Sequence, residues 1–145
     1  MKYEVVYFTR TGNSKRVAEK ISSKLGTDLV EIKDHMRWNG FIGYMRAGFY
    51  STMDKKVQIT LSEPLKDYDE LIVVSPLWAG GLASATRSFL SMLPRGKVHL
   101  VVTSIGSMIK DRSGYISVTD IIERSQSEDD VIEKFTSHFM HDLIE

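Results

Sequence analysis

Lys2-Tyr3-Glu4-Val5-Val6-Tyr7-Phe8-Thr9, Arg10-Thr11-Gly12-Asn13, Ser14-Lys15-Arg16-Val17-Ala18-Glu19-Lys20-Ile21-Ser22-Ser23-Lys24-Leu25-Gly26 is the stretch whose reading decides the fold. The first eight residues are rich in β-branched and aromatic side chains and stop at a turn-forming cluster, which predicts a strand. From Ser14 to Leu25 the apolar positions Val17, Ala18, Ile21 and Leu25 recur at helical spacing, and Gly26 supplies the stop. The chain therefore opens β-turn-α.

The same alternation continues. Asp28 to Ile32 reads as a short strand, and Trp38, Phe41, Ile42, Met45, Phe49 and Met53 fall on one arc of a second amphipathic helix. Lys56 to Lys66 lacks a period and contains Pro64, so an extended connection is expected. Asp69 to Ser75 is a continuous apolar run of the kind buried on both faces of a sheet. Helical spacing returns after Gly80-Gly81 with Leu82, Ala85, Phe89 and Leu93, ending at Pro94 and Gly96. Lys97 to Thr103 and Ile116 to Ile122 are the fourth and fifth strands, and Ser127 caps a last helix with Val131, Phe135, Phe139 and Leu143 as its buried stripe. Strands alternating with helices imply a parallel sheet covered on both faces, and right-handed crossovers narrow this α/β chain to a doubly wound, five-stranded sheet in one domain, 1–145. One helix is missing, because only Ser104 to Tyr115 separates the last two strands.

Composition bounds the function. The 145 residues are 42% hydrophobic and 26% charged, and 19 basic residues balance 19 acidic ones, so nothing favours broad adhesion to nucleic acid or anionic lipid. The balance is a cancellation: residues 1–113 hold 17 basic and 11 acidic side chains, residues 114–145 hold 2 and 8. With no cysteine there is no disulfide, thiolate metal site or cysteine nucleophile. No long apolar run or leader pattern is present, and a soluble cytoplasmic protein is the expectation.

In an open α/β sheet the ligand crevice lies beyond the carboxyl ends of the strands. Three loops leave those ends: Thr9 to Ser14, Pro76 to Gly81, and Ser104 to Ser107. The first joins a strand directly to a helix, so backbone N–H groups at the helix N-terminus, with the hydroxyls of Thr9, Thr11 and Ser14, can surround a phosphate. It lacks the lysine and spacing of a Walker A loop and the Gly-x-Gly-x-x-Gly dinucleotide fingerprint. The second loop sets Trp78 at a strand end, where an exposed indole would stack on a flat heteroaromatic ring and a folded-back one would cover the sheet. The acidic cluster of a receiver domain is absent, since Thr9-Arg10 and Ser75-Pro76 stand where it would be. His138 and His141 have a metal-compatible spacing but no third ligand, and His99, inside a strand, reads as structural.

Thr9-Arg10-Thr11-Gly12-Asn13-Ser14 resembles the flavodoxin phosphate signature, with Ser14 in place of the usual final Thr. Gly40 to Phe49 is similar to the second-helix segment of small bacterial flavodoxin-like proteins, and Tyr68-Asp69 with Ser75-Pro76-Leu77-Trp78 to their third strand and flavin loop. The resemblance covers about residues 1–105 and implies the strand order 2-1-3-4-5, for which flavodoxin is the standard example. It also implies bound FMN. Thr9, Arg10, Thr11, Gly12, Asn13 and Ser14 would hold the 5′-phosphate; Pro76, Leu77, Trp78, Ala79 and Gly80 would meet the isoalloxazine; Ser104, Ile105, Gly106 and Ser107 would close its far side.

Two departures stand out. The last loop lacks the aromatic residue that commonly sandwiches the flavin, so Ile105 or Met108 substitutes, Tyr115 swings in, or one face is open. The missing helix would bare apolar sheet, which another chain or the shortened loop must cover, and a homodimer through 104–115 is the expectation. The resemblance implies an electron-transfer protein serving a redox partner protein or a small electron donor or acceptor, with no role for nucleic acid or membrane. An FMN-dependent NAD(P)H:quinone-type oxidoreductase is the alternative, and the neutral charge keeps it open because familiar flavodoxin carriers are acidic. A flavodoxin-like interaction domain that has lost FMN is the non-redox alternative.

Overall fold

The structure is a computed structural model that describes residues 1–34, 58–78 and 81–144, with the backbone alone for 141–144. The helix expected over 38–53 lies outside the described residues, as do Ala79, Gly80 and the His141 side chain.

The opening stretch forms β1 (Tyr3–Tyr7) and α1 (Asn13–Leu25). Then come β2 (Leu29–Asp34), β3 (Ile59–Leu61), β4 (Glu70–Trp78), β5 (Gly81–Leu82) and α2 (Ser84–Leu90). A 3₁₀ turn at Arg95–Lys97, β6 (Val98–Ser104), β7 (Ser117–Ile122) and α3 (Glu128–Ile144) complete the chain. The strands lie in the order β3-β2-β1-β4-β6-β7, with β5 paired to β4. The five long strands, β2-β1-β4-β6-β7, are mutually parallel and reproduce the expected 2-1-3-4-5 order. β3 and β5 are antiparallel additions. The periodicity missed β3 because three residues, Ile59-Thr60-Leu61, are too few to show one.

Each parallel strand sends alternate residues to opposite faces. Val6 and Phe8 point into a core with Leu71, Val73, Phe89 and Leu100 on the α2 side. Val5 and Tyr7 point into a second core with Val17, Ile21, Ile132 and Phe135 under α1 and α3. Two packed faces are what doubly wound topology requires.

Pro76 did not end β4 as its sequence suggested. The pairing of β1 with β4 stops at Tyr7↔Val74, so the donor that proline lacks falls beyond that ladder, where the Pro76 carbonyl instead accepts from Ala83 N–H at 3.3 Å. β4 therefore runs to Trp78 and carries it to the crevice.

The missing helix is replaced by the chain itself. Ile109 is buried in the α2-side core, with Tyr115 and Val118 packed against it. Asp120, buried on β7, accepts from Ile109 N–H at 3.1 Å and from the Arg112 guanidinium. Arg95 binds Asp111 at 3.0 Å and lies over the Tyr115 ring at 4.8 Å. Ile109 and the loop around it therefore cover part of the sheet face that the missing helix would have bared. Asp120→Ala leaves the Ile109 amide and Arg112 without this acceptor and is expected to cost about 2 kcal/mol, discounted because Arg112 is partly exposed. Urea unfolding against wild type measures it.

At the opposite, N-terminal edge of the sheet, His99 bridges Glu70 and Ser117, both at 2.8 Å, and packs against Phe139 with ring centroids 4.7 Å apart. It ties the starts of β4, β6 and β7 together, the structural role its strand position suggested.

Candidate functional site

The carboxyl ends of β1, β4 and β6 open on a crevice of about 490 Å³, within the size range of small-molecule sites. Thr9, Arg10, Thr11, Asn13 and Ser14 line it from the first loop, Pro76, Leu77 and Trp78 from the second, and Ser104 to Ser107 from the third. The sequence-predicted residues thus converge. Gly12 is not among the lining residues but shapes the loop, and Ala79 and Gly80 lie outside the described residues.

The first loop is built around Gly12, the N-cap of α1, at φ 99° and ψ −9°. This left-handed conformation is one that glycine adopts freely and other residues rarely do. Gly12 N–H donates to Thr9 Oγ1 at 3.0 Å, which tightens the turn. Among the described residues no side chain caps α1. Asn13 Oδ1 instead accepts from Arg16 Nη1 at 3.0 Å, and the buried Ser14 hydroxyl bonds Thr103 Oγ1 at 2.9 Å. The first turn of a 13-residue helix thus enters the crevice without a side-chain acceptor for its amides, where partial positive charge gathers.

The other loops are more committed. Trp78 is only 8% exposed and meets Phe8 edge-to-face, with ring centroids 5.6 Å apart. It walls the crevice while belonging to the core. The Ser104 hydroxyl donates to the Ser107 carbonyl and accepts from Ser107 N–H at 3.3 Å, holding the third turn closed. Of the three residues considered for the missing aromatic, Ile105 lines the crevice and is exposed; Met108 is exposed but does not line it; Tyr115 is held under Arg95.

Sequence reasoning missed the fourth wall. Arg16, Ile121, Glu123, Gln126 and Glu128 also line the crevice, because α3 packs beside α1 and brings the turn after β7 to the phosphate loop. The spacing of Arg16 three residues beyond Asn13 was visible; its meeting with Glu128, 112 residues away, was not. Glu128 accepts from Arg16 Nε and Nη2 at 3.0 and 2.7 Å and from Lys20 Nζ at 2.7 Å. The Arg16 guanidinium, then Lys20, holds its carboxyl at about 2, against burial that works the other way.

That shift is also a stability statement. A carboxyl depressed in the folded state stabilises it above the unfolded value, and the contribution is lost as pH falls through the folded one. Between about pH 5 and pH 2 the ion pair is expected to lose roughly 1–2 kcal/mol, reduced from the full linkage value because both cations are solvent-screened. Glu128→Gln should remove this part of the acid dependence, read from urea midpoints across that range.

No protein-family model and no curated protein matches the sequence. Solved structures do match. A flavoprotein from Lactobacillus acidophilus NCFM, crystallised in complex with FMN, aligns over 93% of this chain and 98% of its own with TM-score 0.67 and 21% identity. Proteins designated flavoproteins from Bacteroides eggerthii and Bacteroides uniformis align over 94% and 93% of this chain and 96% and 97% of theirs, each with TM-score 0.70 and 20% identity. At these identities the likeness establishes the fold, which is flavodoxin-like. Among the described residues no helix is long and apolar enough to cross a membrane, and no group of three or more His, Asp or Glu could hold a metal ion.

Proposed function

We propose that the protein binds FMN in this crevice and transfers electrons through it. The observation that carries the reading is the amino end of α1, which has no side-chain cap among the described residues and is set in a crevice bounded by Pro76 to Trp78 and Ser104 to Ser107. The donor set fits a phosphate monoester: backbone N–H groups at a helix N-terminus, the Thr9 and Thr11 hydroxyls, and a glycine allowing close approach. Ser14 orients the loop through Thr103 as well as lining the site. Beyond the loop, the crevice is bounded by Leu77, Trp78 and Ile105, a largely apolar frame suited to a flat ring. The bound flavin would supply the redox chemistry; the protein would hold, orient and partly desolvate it. The FMN complex of the Lactobacillus protein, similar in fold along nearly its whole length, supports the same cofactor.

Electron carriage is the leading role, exchanging electrons with a redox partner protein or a small donor or acceptor. Direct reduction by NAD(P)H, with a quinone-type acceptor, is the second reading. What favours that one is Ile105: an exposed aliphatic residue stands where an aromatic lid would, which leaves room for a nicotinamide. Purified protein reconstituted with FMN separates them. A carrier accepts electrons in two resolved one-electron steps and is not reduced by NADH or NADPH alone; rapid anaerobic bleaching of the flavin by either nucleotide identifies the oxidoreductase. Protein that leaves the visible spectrum of added FMN unchanged contradicts both.

A further inference from the structure

β7 is the last strand of the sheet, and its outer edge has no partner strand among the described residues. Ile116 N–H donates to the Val98 carbonyl of β6 at 2.9 Å, so by the alternation of a parallel ladder the amides and carbonyls of Ser117 and Thr119 point the other way, outward. β2 and β3, the strands that flank residues 35–57 in sequence, stand at the opposite end of the sheet. Exposed edges are commonly blunted by proline or lysine, and Ser117-Val118-Thr119-Asp120-Ile121-Ile122 has neither. Its one charge, Asp120, is engaged by Ile109 N–H and Arg112.

A groove runs along this edge. α3 is tied to α1 through Glu128, and between α3 and β7 lies a cavity of about 650 Å³. Ser117 and Thr119 line it from the strand, since they share a face with Ile121 of the α1 and α3 core. Tyr3, Phe135 and Phe139 give it an aromatic wall. Lys134 and His138, one turn apart on α3, are exposed at its rim, and Lys134 makes no ion pair among the described residues. Both carboxylates that line the cavity are engaged, Glu70 by His99 and Asp120 by Arg112, while Asp130 and Glu133 of α3 do not line it.

We propose that this groove docks an extended peptide segment of a partner protein, added as a strand to β7, with a bulky apolar side chain against Phe135 and Phe139 and an acidic one two residues away at Lys134. The outward backbone groups of an edge strand match an extended backbone, which supplies affinity, and the cavity beside the strand takes alternate side chains, which supplies specificity. The uncommitted ammonium at the rim favours a carboxylate. A second copy fits poorly. Edge-to-edge pairing would set the small residues Ser117 and Thr119 against the aromatic wall and bring together two copies of 114–145, each with 2 basic and 8 acidic residues.

The test is fluorescence anisotropy on the full-length protein with a labelled peptide, acetyl-Thr-Val-Thr-Phe-Thr-Glu-Thr-amide. Saturable binding is expected with Kd on the order of 10–100 µM, as for a short segment that must be ordered on binding. Peptide residues whose side chains enter the groove turn their amides to β7, so methylating the Phe and Glu nitrogens should weaken binding at least about tenfold, and methylating the neighbouring Thr nitrogens less than about threefold. Thr119→Pro removes an outward amide and leaves the β6 ladder intact, with a loss of about tenfold expected. Lys134→Glu, at an exposed position, should cost about tenfold, and replacing the peptide Glu by Lys should restore binding to that variant. Absence of saturable binding up to about 1 mM, equal loss on methylating either set of nitrogens, or unchanged affinity in Lys134→Glu overturns the proposal. Wild type that dimerises at micromolar concentration while Thr119→Pro stays monomeric assigns the edge to a second copy and overturns it as well.

Discussion

Gly12→Val is expected to weaken FMN binding by about a hundredfold or more while changing riboflavin binding by less than about threefold. Gly12 sits at φ 99°, and a β-branched residue there is a genuine outlier costing about 1–2 kcal/mol. The loop relieves that strain by moving, and its N–H groups move with it. Hydrogen bonds to a charged group are worth about 1.5–3 kcal/mol each, so misaligning two of them accounts for a hundredfold loss. Riboflavin has no phosphate to lose contact with. The comparison matters because a glycine that served only to start α1 would, when replaced, lower stability and weaken both ligands alike. Parallel fluorescence titrations, with urea unfolding of the flavin-free variant, separate the two outcomes.

Trp78→Ala is expected to have the largest effect on stability, about 3–5 kcal/mol in urea unfolding of the flavin-free protein. The indole is almost fully buried, meets Phe8 edge-to-face and belongs to the core that includes Leu82 and Phe89. Removing it opens a cavity where β4 reaches the crevice. FMN affinity should fall as well, since the same side chain walls the site, and Trp78→Phe should retain most of both. A loss below about 1 kcal/mol would mean that the indole is free of the core and already turned to the ligand.

These two residues show how far the sequence could be read. Thr9 to Ser14 was legible as a phosphate loop because its chemistry is local: a strand end, a glycine, hydroxyls and a helix start are contiguous. The parallel order was legible because alternation of period 2 and period 3.6 leaves few topologies. Trp78 was harder, since its exposure depends on Phe8, seventy residues away, and Pro76 concealed the extension of β4 because proline is excluded only where a ladder needs its donor. The loop replacing the missing helix was visible as a gap; its cover of the sheet depended on Ile109, Arg112 and Asp120 meeting across it.

The cancelling charges of the two chain segments acquire a place in the same way. Arg16 and Lys20 belong to the basic segment, Glu128 and Asp129 to the acidic one, and they meet between α1 and α3. Net charge alone said little about function. Part of the cancellation, the Arg16–Glu128 pair, stands at the wall of the crevice.

The central claim, that the amino end of α1 holds the phosphate of FMN, is tested most directly by titrating the flavin-free wild-type protein with FMN and with riboflavin under identical conditions. The account predicts saturable binding of one FMN per chain, with riboflavin bound at least about a hundredfold more weakly, as expected for the loss of several charge-assisted hydrogen bonds. Equal affinity for the two, or no binding of FMN, would contradict it.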